Sequence, residues 1–108
     1  MVTGQENKHL DIGRIREIKA ATGLPLTLHG GSGTADRDLK LAIRAGINIV
    51  HINTELRLAW RHGLEQGLAT REDEVVPYKI LPPAVAAVQK VVSSRLRLFT
   101  NSGTGFSL

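Results

Sequence analysis

The chain has 108 residues, of which 42% are hydrophobic and none is cysteine, with a formal charge of +4. That length suits one small domain, the missing thiols exclude disulfides, thiolate metal ligands and a cysteine nucleophile and agree with a reducing cytoplasm, and the apolar runs fall far short of the roughly 20 residues of a membrane span. The positive charge does not read as a nucleic-acid footprint: Arg14, Arg16, Lys19, Arg57 and Arg61 are interleaved with apolar residues, and two Phe, one Tyr and one Trp leave few stacking platforms.

The polar residues 1–9 lack the apolar core of a secretory signal. Residues 10–22 then predict a helix, with Ile12, Ile15 and Ile18 at helical spacing, Gly23 as its stop and Pro25 barring continuation. Pro25–His29 reads as a short strand, followed by the glycine-rich turn His29-Gly30-Gly31-Ser32-Gly33. A second helix is capped by Thr34 or Asp36, buries Leu39, Ala42 and Ile43, and ends at Gly46. Ile47–Ile52 is dense in β-branched residues, as a strand buried on both faces requires.

Asn53 and Thr54 lead into a third helix with Leu56, Ala59, Trp60, Gly63, Leu64, Gly67 and Leu68 on one face. Arg61 and Glu65, four apart on its side, are spaced to pair. Thr70–Pro77 is a charged loop. Pro82 and Pro83 open a last helix whose expected stripe is Val85, Val88 and Val92, and the Gly- and Ser-rich residues 100–108 form a flexible tail. Strands alternating with helices imply parallel pairing through crossovers. Two such strands need neighbours on both edges, so the pattern reads as a slice of a larger α/β domain.

Two turns bear chemistry. In Leu28-His29-Gly30-Gly31-Ser32-Gly33 the glycines let backbone N–H groups approach an anion, Ser32 adds a hydroxyl, and a helix opens next, as in a phosphate cradle. A tight strand–helix turn would use the same glycines for its backbone angles alone. In Val50-His51-Ile52-Asn53-Thr54-Glu55, Asn53 and Thr54 either donate to a phosphate or merely cap the next helix. Parallel neighbours would put both turns at one sheet end, where each strengthens the other. His29 ends its strand facing that site, where an imidazole can bind metal, move a proton or sit as a satisfied structural side chain. His9 and His62 read as surface residues.

The string Leu26-Thr27-Leu28-His29-Gly30-Gly31-Ser32-Gly33 resembles the signature of class II, zinc-dependent fructose-bisphosphate and tagatose-bisphosphate aldolases. Ala42-Ile43-Arg44-Ala45-Gly46-Ile47, Ile52-Asn53-Thr54-Glu55-Leu56-Arg57 and Pro77-Tyr78-Lys79-Ile80-Leu81-Pro82 fit the same family in order and spacing. The resemblance implies an α/β fold that is the C-terminal segment of a (β/α)8 TIM barrel, about strands 7 and 8 with their helices, over residues 1–99. A full barrel takes about 250 residues.

The resemblance also implies reversible cleavage of a ketose bisphosphate into dihydroxyacetone phosphate and an aldehyde, with Zn2+ polarising the ketone carbonyl. By position, His29 resembles the last of three histidine zinc ligands. Gly30, Ser32, Asn53 and Thr54 resemble substrate-phosphate contacts, and the Gly30 carbonyl a monovalent-cation contact. His51 stands where the family usually has the Asn that steadies the enediolate, so the catalytic role falls to an imidazole able to donate a hydrogen bond. Where many members place arginines near the start of the terminal segment, this chain has Tyr78, Lys79 and Pro82, of which Lys79 is a replacement cation. The other zinc ligands and the catalytic acid lie upstream in the family. The implied partners are a sugar-phosphate substrate and, at full length, further copies of the chain in the cytoplasm, with no nucleic acid and no membrane. Two other readings stay open: a non-catalytic phosphate-binding remnant or interaction module of barrel origin, and an unrelated α/β phosphate-binding element.

Overall fold

The computed structural model describes residues 9–102, without the side chains of Asn101 and Ser102. Residues 1–8 of the polar start and 103–108 of the expected tail lie outside the described residues. In chain order the elements are α1 (Ile12–Thr22), β1 (Leu26–Leu28), α2 (Asp36–Ala45), β2 (Ile47–Val50), α3 (Thr54–Thr70), α4 (Pro77–Ile80) and α5 (Pro82–Ser102). They group into two compact units, one running through Asn53 and including the chain from Leu96, the other Thr54–Arg95.

In the first unit, α1 starts at Ile12 because Asp11 caps it, accepting the Arg14 N–H at 3.0 Å. It stops at Gly23, whose left-handed φ of 63° lets its N–H reach the Lys19 carbonyl at 2.8 Å. Helix α2 places Leu39, Ala42 and Ala45 in the core with Ile47 of β2, and Leu39 is fully buried. The expected side-chain cap of α2 is absent. Ala35 is the capping residue, Thr34 is itself buried with its N–H turned to the Gly31 carbonyl at 3.2 Å, and Asp36 already lies inside the helix.

Asp38 has a different task from complementing the helix dipole alone. Its carboxylate accepts the Leu10 backbone N–H at 2.8 Å and lies 3.2 Å from His9 Nδ1, tying the segment before α1 onto α2. The Leu10 N–H holds the Asp38 carboxyl below its ordinary value against the opposing effect of desolvation, with His9 assisting. A depressed folded pKa gives stabilisation that is complete above the unfolded value of about 4 and is lost as pH falls through the folded value. Amide exchange at Leu10 should therefore be protected at pH 6 and lose that protection in acid. Asp38→Asn should remove the acid dependence, and an unchanged profile in that variant would refute the assignment.

Strands β1 and β2 pair in parallel as Leu26↔Ile47, Thr27↔Ile49 and Leu28↔Val50, with an irregularity between Leu26 and Thr27. Asn48 is the residue this register skips. Its Oδ1 accepts the Leu26 N–H at 3.0 Å and Lys19 Nζ at 2.8 Å, while Lys19 also donates to the Leu24 carbonyl at 2.9 Å. This fastens the incoming end of the sheet. The expectation that the second strand is buried on both faces is not met: Ile47 is buried, but Ile49 is 49% exposed. Among the described residues the sheet has two strands, so the Ile49 face has no covering layer.

In the second unit, Gly63 and Gly67 are the buried residues of α3, and they sit where backbone comes closest. A Cβ on Gly63 would lie 2.5 Å from Ala84 Cα and from the Pro83 carbonyl oxygen, and one on Gly67 would collide with the Ile80 carbonyl oxygen. Of the expected α3 face, Trp60 and Leu68 are about half exposed instead. The expected α5 stripe also rotates. Val85 is 64% exposed, whereas Ala84 is buried, because only a small side chain fits against the α3 glycines. Arg61 and Glu65 pair at 2.7 Å on the exposed flank. The less exposed pair is Arg95 with Glu55, two-pronged at 2.7 and 2.8 Å, joining α5 to the start of α3 across 40 residues. Where the expected charged loop Thr70–Pro77 ends, Pro77–Ile80 forms the short helix α4, with Pro77 in its first turn. No described helix is long and apolar enough to cross a membrane.

Candidate functional site

Both chemistry-bearing turns leave the same end of the sheet. Parallel pairing requires this, and two further hydrogen bonds carry the pairing past the strand ends: His51 N–H to the Leu28 carbonyl at 2.9 Å and Gly31 N–H to the His51 carbonyl at 3.0 Å. His29 and His51 thus stand side by side as the exposed tips of adjacent strands. Their ring centroids are 4.7 Å apart at an interplanar angle of 87°, an edge-to-face contact.

The glycines of the bend have separate tasks. Gly30 adopts a φ of +66°, with open space where a Cβ would stand, so it is needed for backbone conformation. Gly31 is needed for proximity, since a Cβ there would lie 2.9 Å from Val50 Cγ1 and Ile52 Cδ1 and 3.1 Å from the His51 carbonyl oxygen. The result is a close approach of the two strand tips, with His29, Gly30 and Asn53 exposed and Ser32 half-buried. Thr54 follows Asn53 directly as the first residue of α3.

The electrostatics of the bend are mixed. Backbone amides at the bend and the amino end of α2 favour an anion, but the first turn of α2 also contains Asp36 and Asp38. Asp38 is engaged with Leu10 and His9, which moderates the repulsion. Among the described residues no group of three His, Cys, Asp or Glu side chains converges as a metal cluster. The metal-capable donors brought together here are the two imidazoles.

Sequence reading singled out His29, Gly30, Ser32, His51, Asn53 and Thr54; the first five lie at the strand-tip end of the first unit, and Thr54 is the first residue of the second. It passed over two residues on which their placement depends. Gly31 is the close-approach glycine, visible in sequence only as one of a glycine pair. Asn48 is a polar residue inside a β-branched run, and that interruption was the available signal of an irregular register.

Comparison with known proteins bears on the family to which the chain belongs. The family model described as fructose-bisphosphate aldolase class-II matches residues 2–104. A probable fructose-bisphosphate aldolase of Bacillus subtilis (strain 168) is 36% identical over 94 residues, covering 87% of this chain and 33% of the relative. A 6-phospho-5-dehydro-2-deoxy-D-gluconate aldolase of Halalkalibacterium halodurans is 33% identical over 100 residues, covering 92% of this chain and 34% of the relative. The crystal structure of the YdjI aldolase from Escherichia coli K12 superposes with a TM-score of 0.71 at 26% identity, over 98% of this chain and 40% of that one. The chain therefore spans about a third of the length of the relatives it matches in sequence.

Proposed function

The chain belongs to the class II fructose-bisphosphate aldolase family, and from that premise we propose that it is the phosphate- and metal-facing C-terminal part of a zinc-dependent ketose-phosphate aldolase. In this reading β1 and β2 are strands 7 and 8 of a (β/α)8 barrel, whose substrate lies over the carboxyl ends of the strands. The observation that supports it is the parallel pairing that sends the Gly30–Ser32 bend and the His51–Asn53 segment out of one sheet end with the two imidazoles in contact.

The residues fit the group the family uses. His29 presents an exposed imidazole at a strand tip, a nitrogen donor of the kind zinc takes. It would hold Zn2+ together with ligands from the rest of the barrel, and the Gly30 carbonyl would face a monovalent cation. Bound Zn2+ supplies Lewis-acid polarisation of the substrate ketone. The Gly30 and Ser32 amides, the Ser32 hydroxyl, Asn53 and Thr54 hold the substrate phosphate, while the Gly31 amide is taken by the His51 carbonyl; this fixes the reacting carbon–carbon bond relative to the metal-facing end. His51 donates its N–H to the oxygen that gains negative charge as that bond breaks, the work an asparagine amide does elsewhere in the family. A cytoplasmic homo-oligomer is the expected form of the whole enzyme. The named relatives act on fructose bisphosphate or on a phosphorylated deoxyketo-gluconate, so the substrate is a phosphorylated ketose or keto acid.

The complete reading frame containing this segment, assayed with ketose bisphosphates, should show aldol cleavage that a chelator abolishes and Zn2+ restores. Phosphate-ester binding without any cleavage would instead favour a non-catalytic remnant. In the active protein, Ser32→Ala should raise KM for dihydroxyacetone phosphate by about tenfold or more, since a hydrogen bond to a charged group contributes about 1.5–3 kcal/mol. An unchanged KM would remove Ser32 from the phosphate site.

A further inference from the structure

We propose that His51 is a positioning residue for His29: its ring, standing edge-to-face against the His29 ring, holds that imidazole in the orientation a metal needs. The proposal rests on the reading of His29 as a metal ligand.

The backbone beneath His29 is already fixed, and His51 fixes it from both sides. His51 donates to the carbonyl of Leu28, just before His29, and accepts the N–H of Gly31, two residues after it. The intervening Gly30 takes its left-handed conformation, and Gly31 sits hard against Val50, Ile52 and the His51 carbonyl. The segment Leu28–Gly31 is thereby bracketed on a single opposing residue. Rotation about χ1 and χ2 of His29 is the freedom that remains, and His29 is exposed, so no core wall restricts it.

The His51 ring is the neighbour that does restrict it. A centroid separation of 4.7 Å near perpendicular lies within the range of attractive ring pairs, about 4.5–7 Å. An imidazole free to sample three staggered χ1 wells and a two-fold χ2 has about six orientations, so holding one raises metal affinity by up to about sixfold. The contact requires an aromatic ring at position 51. Since His51 is exposed and its backbone hydrogen bonds do not depend on its side chain, substitutions there should fold.

The test is a Zn2+ titration of the complete protein that contains this segment, followed through the His29 ring resonances, in the parent, His29→Ala, His51→Ala and His51→Phe proteins. The proposal expects His51→Ala to weaken Zn2+ binding at His29 by up to about sixfold and His51→Phe, which keeps the ring and removes its nitrogens, to preserve it. Equal affinity in the parent and His51→Ala proteins overturns the positioning role while leaving His29 a ligand. A loss in His51→Phe as large as in His51→Ala also overturns it, because the nitrogen of His51 and not its ring would then matter. Zn2+ binding undiminished in His29→Ala removes the underlying reading itself.

Discussion

Alanine at position 67 is expected to lower the stability of the Thr54–Arg95 unit by about 3 kcal/mol. The new methyl would occupy the space of the Ile80 carbonyl oxygen, and both groups are anchored to backbone, so no side-chain rotation relieves the overlap. Helix α3 and the α4 segment have to separate. The gain in helix propensity on replacing glycine by alanine, about 1 kcal/mol, is too small to offset that. Gly13 supplies the control: in exposed α1 its Cβ would meet only the Asp11 carboxylate oxygen at 3.6 Å, so Gly13→Ala should be neutral or stabilising. Trp60, the single tryptophan of the chain, lies on α3 and reports the unit directly through fluorescence in urea. Equal midpoints for the parent and Gly67→Ala proteins would contradict the close approach.

The second large effect concerns chemistry. In the complete enzyme, His29→Ala should reduce kcat/KM by more than about 100-fold, since even outer partners of metal ligands typically account for 10–100-fold. The bound-zinc content should fall with it. Stability should barely change, because the exposed His29 ring contributes little burial. This separates a ligand from a structural histidine: the latter would lose stability and retain zinc. Wild-type zinc content and turnover in the variant would refute the metal assignment.

The order of elements was legible because each longer segment repeats its apolar residues at the helical period or concentrates β-branched residues between glycine stops. Gly23 and Gly46 ended helices where sequence reading placed them. Pro77–Ile80 was not legible, since one turn of helix is too short to display a period. Val85 and Val92 were assigned to the buried face of α5 by hydrophobicity. Packing selected Ala84, whose small size matters only once Gly63 is known to face it. The Glu55–Arg95 pair spans 40 residues and leaves no local trace. The turns of the candidate site could be read from glycine and polar residue types, while the ring contact of His29 with His51 depends on register, which composition does not encode.

That register follows from the single extra residue in β2. Counted evenly from Leu26 opposite Ile47, the partner of His29 would be Val50. The skipped Asn48 advances the strand by one, so Leu28 meets Val50 and His29 meets His51. Drawing Asn48 into regular register opposite Thr27, with no residue skipped, would put Val50 beside the imidazole of His29 without altering any residue at the strand tips. Which side chains meet at the histidine end is thus set at the opposite end of the sheet, by an amide held between Lys19 and Leu26.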